Sequence, residues 1–207
     1  MKTLFLTLIA TAALAIVPAS RAADKEVAVI KTAAGEMVVE FWDDKAPETV
    51  KNFKKLANEK FYDGTAFHRI IRGFMIQGGD PKSKDAGKEA DLGTGDPGYK
   101  IKAEFNDRKH ELGVISMARS GDPLERSGAL PRPEYANSAG SQFFICLGST
   151  PALDGKYTCF GKVIKGEDVL KKLGDTPVEP NGGGEPSKPK ERVGVVSIKI
   201  VAADSIK

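Results

Sequence analysis

The residues best equipped for chemistry lie together in FHRIIRGFMIQGGD, residues 67–80, where His68 and Arg69 are set among Phe, Ile and Met. The chain has two histidines, His68 and His110, and neither belongs to an HExxH pattern or a Cys/His cluster, so no metal is expected. A Ser/His/Asp triad would need one of them as base, but no GxSxG elbow is present. Gly78-Gly79 and Gly182-Gly183-Gly184 lack the strand-turn-helix setting of a phosphate loop, and no cofactor is expected. What remains is a permanently charged guanidinium beside Phe74 and Met75, with Gln77 close behind. That combination suggests an apolar pocket with a fixed hydrogen-bond fork at its edge, and proline is a natural occupant. The stretch is equally open to a structural reading in which Arg69 pairs with a core acid such as Asp80 or Glu104.

Side chains alternate along a strand, so Arg69 should share a face with Phe67 and Ile71, and His68 with Ile70. The scaffold around them reads as mainly β. EVAVIKTAAGEMVVEFW is a hairpin, and APETVKNFKKLANEK a helix with Pro47 in its first turn and Val50, Phe53, Leu56 and Ala57 at helical spacing. Strand-like runs follow at 67–77, 99–105, 113–117, 142–146 and 158–163, then the short helix GEDVLKKLG and a closing strand in ERVGVVSIKIVA. Many short strands with two helices and no regular βαβ alternation predict an antiparallel barrel with helices covering its ends. LERSGALPRPEYA (124–136) and EPNGGGEPSKPK (179–190) read as surface loops. Cys146 and Cys159 sit in the strand-like runs FFICLG and YTCFGKV: they would be bridged if those strands pair with the cysteines opposed, and buried small apolar residues otherwise.

A chain of 207 residues with 41% apolar content suits one domain. Its start has another purpose. Met1 and Lys2 precede an apolar run of 14 residues, 4–17, and then PASRAA, with Ser20-Arg21-Ala22 the best cleavage site and Ala19 and Ala23 as neighbouring options. The run is shorter than the roughly 18–20 residues that span a bilayer. Residues 1–22 are therefore expected to be a cleaved signal peptide and 23–207 the mature domain, periplasmic or secreted, without stable membrane insertion. Cleavage lowers the formal charge from +3 to +1, leaving no electrostatic case for nucleic acid. The Lys-rich pieces KNFKKLANEK and VLKKLG read as solvated helix faces. A monomer is expected.

Five ordered motifs then narrow the reading: FHRIIRGFMIQGGD, GTGDPGYKIKAEFN, GVISMARS, NSAGSQFFI and LDGKYTCFGKV. In order and in most residues the chain resembles the cyclophilin family of peptidyl-prolyl cis-trans isomerases, from about residue 27 to 201, and is most similar to bacterial exported single-domain members. The resemblance implies a closed eight-stranded antiparallel barrel capped by two α-helices, with the groove on its outer face. It implies isomerase activity on X-Pro bonds, with proline-containing polypeptides and unfolded exported proteins as partners. Arg69 would be the catalytic arginine. Phe74, Met75, Phe144 and Leu153 would line the proline pocket. Gln77 and Gln142 would orient the substrate backbone, helped by the main chain around Ala118 and Arg119, and His68 would be a secondary groove residue. A Pro-peptide binding module or chaperone on the same fold is the competing reading. The chain departs from the family pattern at Ala152, where many members carry Trp, at Tyr157, where His is common, and in the insert 124–136. The first two bear on cyclosporin binding more than on isomerase activity.

Overall fold

The computed structural model describes residues 25–206, and the expected signal peptide lies outside the described residues. Strands β1 (Glu26–Thr32) and β2 (Gly35–Phe41) form the expected hairpin, in register from Val27 opposite Glu40 to Thr32 opposite Gly35. Its turn is held by the Thr32 hydroxyl, which accepts from Ala34 N–H (3.2 Å) and donates to the Gly35 carbonyl (2.9 Å).

Helix α1 (Pro47–Asn58) buries Val50, Phe53, Leu56 and Ala57, as the spacing predicts. Its N-cap is Ala46, which has no side-chain acceptor; the Glu104 carboxylate takes over, accepting from the backbone N–H groups of Glu48 (3.1 Å) and Thr49 (2.8 Å). A carboxylate there satisfies donors the helix leaves open and opposes the positive end of its dipole. Phe53 lies at the centre of an aromatic cluster, with ring centroids 5.0 to 5.9 Å from Tyr62, Phe160, Phe143 and Phe41.

The remaining elements are β3 (Arg69–Ile71), β4 (Met75–Gly78), β5 (Val114–Met117), the one-turn helix α2 (Pro133–Ala136), β6 (Phe143–Cys146), β7 (Cys159–Lys165), α3 (Glu167–Gly174), β8 (Val178–Pro180), β9 (Pro186–Pro189) and β10 (Val195–Ala202). Eight strands form one antiparallel sheet in the order β10-β1-β2-β7-β5-β6-β4-β3, and β8 and β9 make a separate hairpin. The sheet curls around a core to which α1 and α3 both contribute.

Three expectations need correction. The barrel is not closed: the end strands β3 and β10 share no ladder and meet only through the isolated bridge Ala66–Gly194 and flanking bonds such as Phe67 N–H to the Val193 carbonyl (2.9 Å). β3 is three residues long and packs against β9, so its edge is partly covered by the hairpin rather than by β10. Residues 99–105 form no strand: Ile101 makes an isolated bridge with Ala139, and two further backbone donors are drawn to side chains, Ala103 N–H to Asn137 Oδ1 (2.9 Å) and Glu104 N–H to Thr158 Oγ1 (3.0 Å). Nor does 179–190 remain a loop, since it contains the β8–β9 hairpin.

Candidate functional site

Strand alternation builds the site. On β4 and β6 the inward side chains Ile76, Phe143 and Ile145 belong to the main core, while Met75, Phe144 and Cys146 form a second cluster on the outer face. Ile71, Phe74, Ala118, Leu153 and Tyr157 pack against that cluster. Arg69 lies opposite Gln77, and Gln77 opposite Phe144, so the register itself carries the guanidinium to the cluster's edge. The predicted alternation holds for 69–71 but not before: Phe67 and Ile70 both point into the main core, since the ladder with β4 begins at Arg69.

These groups enclose a pocket of about 120 Å³ lined by Arg69, Phe74, Met75, Gln77, Ala118, Arg119, Phe144, Leu153 and Tyr157. Eight of the ten expected site residues therefore converge there. Gln142 lines an adjoining cleft of about 340 Å³ that shares Gln77, Ala118 and Arg119 with the pocket. His68 stands apart, between two clefts beside the β8–β9 hairpin. Burial holds its pKa below the usual histidine value, and both ring nitrogens are buried without a hydrogen-bond partner among the described residues.

A chain of amides fixes the pocket's polar side. Arg69 Nη1 donates to Gln77 Oε1 (3.4 Å), Gln77 Nε2 to Gln142 Oε1 (3.0 Å) and Gln142 Nε2 to the Gly95 carbonyl (2.8 Å). Each amide is thus oriented by its neighbours. Arg69 is not paired with either acid named from the sequence: Asp80 accepts from the backbone of Lys82, Gly93 and Gly95, and Glu104 caps α1. Its partner is Glu185, whose two carboxylate oxygens accept from Arg69 Nε (2.8 Å) and Nη2 (2.9 Å). That hydrogen bonding holds the Glu185 carboxyl below its usual pKa.

Arg119, expected to contribute through its main chain, lines the pocket with a side chain that is fixed by other protein groups. Its side chain is 2% exposed and stacks on the Tyr157 ring at 4.2 Å, while Nε donates to the Lys156 carbonyl (2.9 Å) and Nη2 pairs with Glu125 (2.6 Å). The insert is fastened through that pair and through Asp122, which accepts from Arg132 Nε (2.9 Å) and from the Arg132 backbone N–H (2.9 Å).

Behind Phe144, His110 stacks on that ring at 5.9 Å. Its Nδ1 lies 3.0 Å from Asp154 Oδ1, and its Nε2 lies 3.2 Å from Ser116 Oγ and 3.3 Å from Cys159 Sγ. The spacing is that of a nucleophile, base and acid, yet His110 and Cys159 are each 1% exposed, and burial pushes the Cys159 thiol up to about 12. A buried thiol that stays protonated is no nucleophile. Cys146 and Cys159 are both free, because β5 lies between β6 and β7 and the two cysteines never face one another.

A curled antiparallel sheet carrying one small apolar seat on its outer face, with a fixed cation at the rim, defines a binding or catalytic groove for an extended chain with a compact ring. The family model for cyclophilin type peptidyl-prolyl cis-trans isomerases matches residues 27–200. A peptidyl-prolyl cis-trans isomerase of Synechococcus elongatus is 43% identical over 142 residues, 69% of this chain and 83% of that protein. One from Helicobacter pylori is 41% identical over 150 residues, 70% and 78% of the two chains. Among solved structures, a Cryptosporidium parvum cyclophilin type isomerase crystallised in the presence of the dipeptide Ala-Pro superposes with TM-score 0.69 at 30% identity, over 84% of this chain and 98% of that one. The chain belongs to the cyclophilin-type peptidyl-prolyl cis-trans isomerases.

Two residues were not picked out as site residues from the sequence: Tyr157, which lines the pocket, and Glu185, which pairs with Arg69 from outside its lining. Tyr157 stood out only as a departure from the family, and Glu185 lay in a Gly/Pro-rich segment with no local signal pointing to Arg69.

Proposed function

We propose that the chain accelerates rotation about X-Pro bonds with Arg69 as its catalytic residue. The proline ring sits on Phe74, Met75, Phe144 and Leu153, and the adjoining chain is held along Gln77, Gln142 and the backbone at Ala118 and Arg119. The observation that carries this reading is the guanidinium placed at the edge of the 120 Å³ pocket, with Nη1 directed to Gln77 and Met75 Sδ.

The uncatalysed barrier is about 18–20 kcal/mol, because amide resonance must be broken on twisting. The twisted nitrogen recovers a localised lone pair, and a donor aimed at it stabilises that state more than the planar one. One charge-assisted hydrogen bond contributes about 1.5–3 kcal/mol. A millionfold acceleration needs about 8 kcal/mol, so the rest comes from seating the ring and holding one side of the bond while the other turns. No proton has to move. His110, hidden behind Phe144, and His68, outside the pocket, are both dispensable to that scheme.

The apolar run and small-x-small site at the N-terminus support an exported protein, periplasmic or secreted, whose substrates are exported polypeptides still folding. The insert 124–136 would bias which residues beside proline are accepted, acting through Arg119, while bond rotation stays with Arg69.

A protease-coupled assay of cis-peptide relaxation tests the central assignment. Arg69→Ala is expected to lower kcat/KM by at least roughly ten- to a hundredfold. Peptide binding without acceleration by the unmodified protein would instead make this a proline-binding module.

A further inference from the structure

We infer that Glu185 is a positioning residue for the isomerase reaction: from the β8–β9 hairpin its carboxylate clamps the outer edge of the Arg69 guanidinium so that the opposite corner faces the proline pocket. The inference rests on Arg69 being the catalytic residue.

The geometry assigns the two edges different partners. Both Glu185 oxygens engage the Nε/Nη2 edge, at 2.8 and 2.9 Å, while Nη1 is directed to Met75 Sδ (3.9 Å) and Gln77 Oε1 (3.4 Å), two groups that line the pocket. The carboxylate therefore sits on the far side from the seat. A guanidinium held at two points of one edge is fixed in its plane, which a carboxylate can do because its oxygens match the fork. Arg69 otherwise carries a long, rotatable side chain whose ordering would be charged against the transition state. A donor already aimed at the developing lone pair avoids that cost.

The loop of the hairpin is built to present Glu185. In the loop 181–185, Asn181 Oδ1 accepts from the backbone N–H groups of Gly183 (2.9 Å) and Glu185 (3.0 Å), Asn181 N–H donates to the Glu185 carbonyl (2.7 Å), and Gly184 N–H donates to the Asn181 carbonyl (2.9 Å). Gly184 adopts φ +82°, a conformation that favours glycine. Asn181 Nδ2 also donates to Ser187 Oγ (3.1 Å), tying the loop to the start of β9, which packs on β3. The backbone that carries Glu185 is thus latched at both ends, and its carboxylate reaches a residue 116 positions earlier in the chain.

The test uses NMR line-shape analysis of cis–trans exchange in an Ala-Pro peptide, which separates turnover from binding, on the wild-type mature chain and on Glu185→Gln, Glu185→Ala, Asn181→Ala and Arg69→Ala. Both partners are partly exposed, with side chains 33% and 41% accessible, so the pair is screened and a modest effect is expected. Glu185→Ala should lower kcat by about three- to fivefold with KM unchanged, and Glu185→Gln, which still accepts one hydrogen bond, should fall between it and wild type. Asn181→Ala should lose part of the same activity with every Arg69 contact residue in place. The Arg69 Nε–H resonance should be sharp in wild type and broadened by solvent exchange in Glu185→Ala. Unchanged kcat in Glu185→Ala beside a crippled Arg69→Ala would overturn the role of Glu185 alone. A rise in kcat would overturn it too, showing a clamp that competes with substrate. Wild-type activity in Arg69→Ala would instead remove the assignment of Arg69 and this inference with it.

Discussion

Two arginine–carboxylate pairs flank the pocket, and they are chemically alike but differently used. Arg69 pairs with Glu185 on the hairpin side; Arg119 pairs with Glu125 on the side of the insert. Arg119 is almost wholly buried and spends its remaining donors on the carbonyls of Lys156 and Ser120, with its flat face on Tyr157. Arg69 is one-third exposed and keeps the corner beside Gln77 and Met75 facing the cavity. An arginine engaged at every nitrogen by fixed protein groups fastens a loop. One that keeps a corner turned toward an open seat can act on what enters it. The contrast also shows that loop charges are a poor guide to function, since Asp122, Glu125 and Arg132 are engaged in shaping the insert, whereas Glu185, in the Gly-rich loop of the hairpin, reaches Arg69.

Substituting lysine at both arginines should break the symmetry most visibly. Arg69→Lys retains the charge but not the fork that engages Glu185 and Gln77 together, and it should lose at least about tenfold in kcat/KM. Arg119→Lys should cost far less activity and show itself as looser packing of 120–136, measured by faster amide exchange there. Equal activity losses would mean that the two pairs play one role.

Shortening 124–136 to a direct join sharpens the difference further. It removes Glu125 and leaves the Arg119 charge unpaired beside the pocket, so peptides with acidic residues next to proline should gain by up to about fivefold relative to those with basic residues, while a neutral Ala-Pro peptide changes little. The ratios of kcat/KM across such a peptide series are the measurement. Parallel ratios near unity would reduce the insert to a decoration.

Acid should act on the insert through its paired carboxylates, and only below the range where ordinary carboxylates titrate. The Arg132 hydrogen bonds hold the Asp122 carboxyl well below the usual range, and the Arg119 hydrogen bonds lower Glu125. Groups with depressed folded values contribute stability that is fully present above their unfolded values, near pH 4, and lost as pH falls through the lower folded ones. The Arg132 amide, which donates to Asp122 Oδ2, should therefore titrate with a midpoint below that of an ordinary aspartate. A midpoint near 4 would mean the pair does not persist in solution.

The smallest effect is expected at His68. His68→Gln should leave kcat/KM within about twofold, and the rate should be flat between pH 6 and 7, since no step needs a titrating imidazole. A strong pH dependence there would contradict a mechanism without proton transfer.

How much of this was legible depends on how local the cause is. Arg69, Met75 and Gln77 could be read together because they lie within a few residues of one another, whereas Phe144, on the distant strand β6, came only with the family resemblance. Helix α1 could be read from the spacing of Val50, Phe53, Leu56 and Ala57. The segment 99–105 alternates like a strand, yet two of its donors, Ala103 and Glu104 N–H, are taken by Asn137 and Thr158, distant residues that no short window contains. The same holds for Glu104, whose helix-capping role spans more than fifty positions, and for Glu185. Closure of the barrel was misjudged for a related reason: counting strands says nothing about whether the first and last are long enough to form a ladder, and β3 has three residues.

The position of β5 between the two cysteine-bearing strands has a consequence for where this fold can work. Two strand spacings amount to about 9–10 Å, beyond the roughly 7 Å between Cα atoms that a disulfide tolerates. Burial adds a chemical barrier to the spatial one, pushing Cys146 up to about 11 and Cys159 to about 12, so neither offers a thiolate to an oxidant. Alkylation after unfolding without reductant should find both thiols, and dithiothreitol should leave the melting temperature unchanged. A domain of this kind draws nothing from the electron potential of its surroundings: it needs no oxidative folding machinery, and an oxidising or a reducing compartment leaves it the same covalent molecule.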